Sequence, residues 1–179
     1  MPKTTFKILE EADVPVPELV EDPRNANRHN AENLAAIEAS LKAFGQPERL
    51  VTRKSDRVVF SGNGRLTCMR KLGWKTARIQ FVQGTDQQCR AYALAANQTT
   101  RLSKFDPTEL FNQLEEIHQA DLTGLFDATG FSLEDLEDMR HLHDEEMNKI
   151  ASKGMPAGEG GNLAVCPKCH NEFRIGGTK

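Results

Sequence analysis

Arg57-Val58-Val59-Phe60-Ser61-Gly62-Asn63-Gly64-Arg65-Leu66 is the stretch that decides the fold. Residues 57–60 form a short apolar run of strand character, and two glycines then bracket Asn63 in a polar turn. Leu66, Met69 and Leu72 follow at helical spacing, with Gly73 as the stop. A strand that feeds a helix through a glycine turn leaves the first helical N–H groups without intrahelical acceptors. The helix dipole adds partial positive charge there, and Arg65 adds a full one. Such a turn suits a phosphate, from a nucleotide or from a DNA backbone. It also suits a plain tight connection, and spacing alone leaves both readings open.

Reading outward, Leu50 to Thr52 predicts a strand that pairs with 57–60 as a hairpin around Lys54-Ser55-Asp56. Upstream, Asn30 is placed to cap a helix carrying Leu34, Ile37, Leu41 and Phe44, with Gly45 as its end. Before it, Arg24-Asn25-Ala26-Asn27-Arg28-His29 is a polar loop. Its cations Arg24 and Arg28 suit phosphate oxygens, its asparagines suit a base or sugar edge, and a solvated Asx-turn is the alternative. Phe6 to Leu19, broken by Pro15 and Pro17, predicts an edge strand at most. Downstream come a strand over Trp74 to Val82, a helix over Asp86 to Asn97 and a helix opening at Pro107. Ser132 then caps a last helix with Asp135 three residues on. Cys68 and Cys89 fall within helices as buried thiols. The resulting order predicts an α+β fold, a small mixed sheet with packed helices.

Charge is unevenly spread. Residues 24–104 hold 15 Lys/Arg against 5 Asp/Glu, and residues 106–146 hold 1 Arg against 13 Asp/Glu. A net of +10 in the first block suits a polyanion, the acidic block does not, and neutralisation of one block by the other is the competing expectation. The chain of 179 residues with 38% hydrophobic content is long enough for one ordinary domain and an appendage. No apolar run approaches the ~20 residues of a membrane span and no secretory pattern opens the chain, so a cytoplasmic location is expected.

Four pieces in order carry a resemblance: Arg24 to Asn30, Phe44-Gly45-Gln46-Pro47, Ser61 to Leu66, and Leu72-Gly73-Trp74. Together they resemble the ParB-like nuclease domain of the ParB/sulfiredoxin superfamily. Arg90 to Asn97 looks like that family's helix after the core. Phe105-Asp106-Pro107 and Thr129-Gly130-Phe131 look like its phage and methyltransferase-linked members. The resemblance implies a ParB/sulfiredoxin-like sheet and helices over 1–104, followed by an acidic helical extension over 105–150. It implies phosphate, nucleotide or DNA binding by Gly62, Asn63, Gly64 and Arg65, with Arg24, Asn27 and Arg28 beside them. ATP or CTP, with Mg2+, are the implied cofactors. DNA is the implied macromolecular partner, with a DNA methyltransferase, a phage packaging machine or a second copy of the chain as further candidates. A phage origin would place the protein in a bacterial host cell.

Asn63 stands where sulfiredoxin carries its catalytic Cys, so reductase chemistry on a peroxiredoxin is not expected. Gly64 stands where chromosome-partitioning ParB has a second Arg. The acidic 106–146 segment does not suit a DNA reader. Arg65 and His29 are the candidate catalytic groups, with His29 as the candidate base and no Asp or Glu beside the turn in sequence. The expected function is therefore a DNA-associated protein that binds phosphate at the Gly-x-x-Arg turn. Nuclease activity, a non-catalytic accessory role and ATP-dependent phosphoryl transfer are its three forms.

After a glycine-rich linker at 151–162, Cys166-Pro167-Lys168-Cys169-His170 forms a zinc-knuckle-like tail over 163–179. Two thiolates at this spacing are half of a tetrahedral zinc site. His170, other histidines or a second chain would supply the remaining ligands, and a remnant knuckle without metal is the alternative.

Overall fold

The computed structural model describes residues 6–120, 124–152, 163–165 and 172–174. The chain divides into two compact units, Met1–Leu136 and Glu137–Lys179. The first unit is built on five strands: β1 (Lys7–Pro15), β2 (Val20–Glu21), β3 (Leu50–Arg53), β4 (Val58–Ser61) and β5 (Thr76–Gln83). They form one mixed sheet in the order β1-β5-β3-β4-β2. The helices are α1 (Ala31–Phe44), α2 (Asn63–Lys71), α3 (Asp86–Leu102), α4 (Pro107–Ala120), α5 (Leu125–Ala128) and α6 (Leu133–Ser152), which runs on into the second unit. In that second unit, β6 (Leu163–Val165) and β7 (Glu172–Arg174) pair antiparallel. Among the described residues no helix is long and apolar enough to cross a membrane.

The hairpin expected around residue 55 is present, β3 and β4 pairing antiparallel, while β3 pairs parallel with β5. Pleat alternation divides the core into two layers. Leu50, Val59, Ile79 and Phe81 pack with Leu41 of α1 and with Leu66 and Met69 of α2. On the other side, Phe60 and Val82 pack with Cys89 of α3. Cys68 and Cys89 are both buried, and burial pushes each thiol above its ordinary range. Glu38 of α1 ties that helix to α2 by accepting from Lys71, and hydrogen bonds from Lys42 and Lys71 hold its carboxyl down at about 2.

Local signals read from the sequence are realised as hydrogen bonds. The Asn30 side chain accepts from the Asn33 amide, and Gly45, at φ 70°, closes α1. Ser132 Oγ accepts from the Asp135 amide at 3.1 Å while the Ser132 amide donates to Asp135 Oδ2 at 2.7 Å. Pro15 ends β1, which lies at the sheet edge.

Three features differ from expectation. Phe44, placed on the apolar stripe of α1, is 54% exposed at the last turn of the helix. Helix α3 runs beyond Asn97 to Leu102, through Gln98-Thr99-Thr100. Thr99 and Thr100 donate their hydroxyls back to Ala95 and Ala96 carbonyls at 3.0 and 3.1 Å, which satisfies polar groups that otherwise favour a turn. Strand β2 has no periodic signal, since only Val20 and Glu21 pair, in parallel, with β4.

Thr52 of β3 is fully buried and its Oγ1 has no hydrogen-bond partner. A buried hydroxyl left unpaired costs about 1–3 kcal/mol. Thr52→Val keeps the shape and removes that cost, so the variant should be at least as stable as the parent, by roughly 1 kcal/mol. Urea denaturation decides this. A lower midpoint for the valine variant would show that the hydroxyl is bonded in solution.

Candidate phosphate site

The turn from β4 into α2 is built by two glycines with different duties. Gly62 is the N-cap of α2 at φ 97°, ψ 26°, left-handed geometry that a side chain would strain. A Cβ there would also sit 2.5 Å from Leu50 Cδ2, so the core itself excludes one. Gly64 is needed for closeness: a Cβ would come within 2.8 Å of His29 Cε1 and 2.9 Å of Ile37 Cδ1. Since Gly62 has no side chain to cap the helix, α2 opens without a side-chain cap. Its first N–H groups stay available to a ligand.

Asn63 does not offer its side chain outward. It is 7% exposed, with Oδ1 accepting from the Asp22 amide at 3.0 Å and Nδ2 donating to the Val59 carbonyl at 2.9 Å. The amide thus fastens the loop before Arg24 to strand β4. Asp22, also buried, receives Arg90 of α3 through both carboxylate oxygens at 3.0 and 2.9 Å. Arg90 donates to Asp86 as well, at 2.8 Å, and this hydrogen bond is the leading cause that lowers the Asp86 carboxyl below its usual range. One chain of contacts therefore runs from the glycine turn through Asn63 and Asp22 to α3.

A cleft of about 380 Å3 opens over the turn. Ser61, Gly62, Asn63, Gly64 and Arg65 form its floor, Asn25, Asn27 and His29 come from the preceding loop, and Ala96, Asn97 and Thr100 come from α3. His29 Nδ1 lies 2.6 Å from Asn33 Oδ1. Asn27 Oδ1 accepts from Arg101 at 3.3 Å, and Asn27 Nδ2 reaches Asn97 Oδ1 at 3.4 Å. Arg24 sits apart, 74% exposed and 3.9 Å from Asp86, and lines a neighbouring pocket of about 220 Å3 that also uses Asn25, Asn27 and Asn97. Arg28 is exposed and lines neither.

Three lining residues escaped the sequence reading, Glu48, Asn97 and Thr100, and so did Arg101, which donates to Asn27. The absence of a carboxylate beside the turn holds only along the chain. In space Glu48 is there, its Oε2 2.9 Å from Arg65 Nη1, and its main-chain carbonyl accepts from the same nitrogen at 3.1 Å. Seventeen residues separate the pair, and no local pattern carries such a contact. Thr100 and Arg101 carry a signal only once α3 is known to extend past Asn97.

The metal candidates Cys166, Cys169 and His170 lie outside the described residues. Among the described residues no group of three or more His, Cys, Asp or Glu is arranged to hold a metal ion.

No protein-family model matches the chain, and no curated protein does. Solved structures do match. A C-terminally truncated chromosome-partitioning protein ParB from Caulobacter crescentus, complexed with CTP-γ-S, superposes with a TM-score of 0.65 at 15% identity, over 81% of this chain and 86% of that one. The fold is ParB-like. A pNOB8-like ParB N-domain (TM-score 0.45, 18% identity, 96% of this chain and 58% of that one) and sulfiredoxin from Arabidopsis thaliana (TM-score 0.40, 19% identity, 48% and 98%) are more distant. In this ParB-like fold the glycine turn, the loop before α1 and the inner face of α3 converge on one cleft.

Asn63→Ala should cost roughly 2–4 kcal/mol, because it leaves the Asp22 amide and the Val59 carbonyl unpaired in a buried setting. Chemical denaturation measures the loss. A change below about 0.5 kcal/mol, the size of an ordinary surface substitution, would show that the asparagine does not hold the loop.

Proposed function

We propose that this protein binds a phosphate-bearing ligand, a nucleotide or DNA, in the cleft over Gly62, Asn63, Gly64 and Arg65. The observation that carries the reading is the uncapped start of α2 with Arg65 folded over it. Built on Gly62, the guanidinium's Nε and Nη2 would each lie 3.4 Å from a Cβ, so the cation rests directly above the turn. Backbone N–H groups, a helix N-terminus and a guanidinium that face one cleft form an anion site. Asn27 and Asn97, whose amides bond to each other, to Arg101 and to the Ala93 carbonyl, line the cleft where a base or sugar would lie, and Arg24 and Arg28 add positive charge on the loop before α1. The ParB that shares the fold was solved with CTP-γ-S, which supports a nucleotide and places CTP beside ATP among the ligands to try. DNA remains the partner in a ParB-like role, met first through its phosphates, because the 15 Lys/Arg of residues 24–104 offer cations to a nucleic-acid backbone.

Arg65→Ala should weaken binding of ATP, CTP or a DNA duplex by roughly 1.5–3 kcal/mol, the range of a charge-assisted contact. Titration calorimetry on parent and variant tests this, and equal affinities for all three ligands would sink the reading. If DNA is the ligand, its affinity should fall steeply with salt, and Arg28→Ala should lower the salt slope by about one. A nicking assay with Mg2+, run on the parent and on Arg65→Ala, decides whether binding leads to cleavage.

A further inference from the structure

Arg65 is not free to meet a ligand. Its Nη1 makes two contacts with one residue, the Glu48 carbonyl at 3.1 Å and the Glu48 carboxylate at 2.9 Å, and these differ in kind. The carbonyl belongs to a braced peptide. Gln46 donates to that same carbonyl at 3.2 Å, and Gln46 itself is clamped on β5, donating to the Arg78 carbonyl and accepting from the Arg78 amide, both at 2.7 Å. The carboxylate is loosely held, at the end of a side chain that is 77% exposed, whereas that of Arg65 is 22% exposed. Glu48 thus lines the cleft as an anion already seated on the cation a phosphate would seek.

Resting on the phosphate reading above, we infer that Glu48 is a built-in competitor for Arg65, and that a ligand binds by displacing its carboxylate while the braced carbonyl keeps the guanidinium in place. A tethered anion acts at high effective concentration, so it sets a threshold that an incoming phosphate must exceed. The displaced carboxylate has a place to go. Glu48, Arg65 and Ile37 also line a groove of about 350 Å3, bordered by Ser40 of α1 and Thr129.

The test is the affinity of the full chain for ATP, CTP and inorganic pyrophosphate, each at one fixed ionic strength without divalent metal. Glu48→Gln should tighten binding of the probe that binds by roughly three- to five-fold, about the size of one good exposed ion pair. Glu48→Ala should act in the same direction, since the side chain lies in solvent and the carbonyl brace is untouched. Gln46→Ala, which loosens the brace, should weaken binding instead. Equal or weaker binding by both Glu48 variants, while the parent binds, overturns this inference and leaves the phosphate reading standing. No binding of any probe by parent or variants overturns both.

Discussion

The side-chain amide of Asn63 is the constraint on which the site depends. One group joins the loop at Asp22, 41 residues away in sequence, to β4 at Val59 and to α2, which Asn63 itself begins. Buried hydrogen bonds of this kind are costly to leave unmade, so the loop cannot drift while the turn stays folded. Asp22, once fixed, presents its carboxylate to Arg90, and α3 is thereby held where Asn97 and Thr100 face the cleft. The glycines on either side complete the arrangement. Gly62 supplies a backbone conformation, and Gly64 lets the His29 ring and Ile37 lie against the helix start.

The fold was legible where the signal was local. A hairpin, a glycine turn, an asparagine cap and a serine cap each occupy only a few consecutive residues, and each is present. The site was legible in part, for the same reason. Gly62 to Arg65 and the Asn27–His29 loop announce themselves by composition, whereas Glu48 and Asn97 enter the cleft through tertiary packing alone. The direction of a side chain was also hidden. An asparagine between two glycines reads as a ligand group facing out, and only the buried partners at Asp22 and Val59 show that it faces in. Phe44 illustrates the reverse: it fits the period of α1, yet at the last turn of the helix its ring stays exposed.

Charge shows the same limit. The +10 of residues 24–104 invites a search for a partner among the acidic residues after 105. Much of the compensation comes from before that block. Glu10, Glu11, Glu18, Glu21 and Asp22 pair with Lys54, Arg49, Arg57, Arg70 and Arg90 respectively. These pairs join the first strands and their connection to the body of the domain, most of them at the surface, where each adds little stability. Their larger effect is on the field outside the protein, which counter-charges at these five cations weaken locally.

That pairing has a practical side for anyone handling shortened forms of the chain. Removing residues up to Asp22 would take away both edge strands of the sheet and, in the same cut, the counter-charges of five cations. The product would be close to neutral overall, because residues 1–22 hold two Lys and six Asp/Glu, but its five unmasked cations would form a local positive face that retains nucleic acid through purification and shifts any duplex in a gel. Such retention would reflect exposed arginines at the cut face and would say nothing about the glycine turn. The first twenty-two residues thus act as a charge mask for the rest of the domain, and an apparent gain in DNA affinity on trimming them would be a sign of its loss.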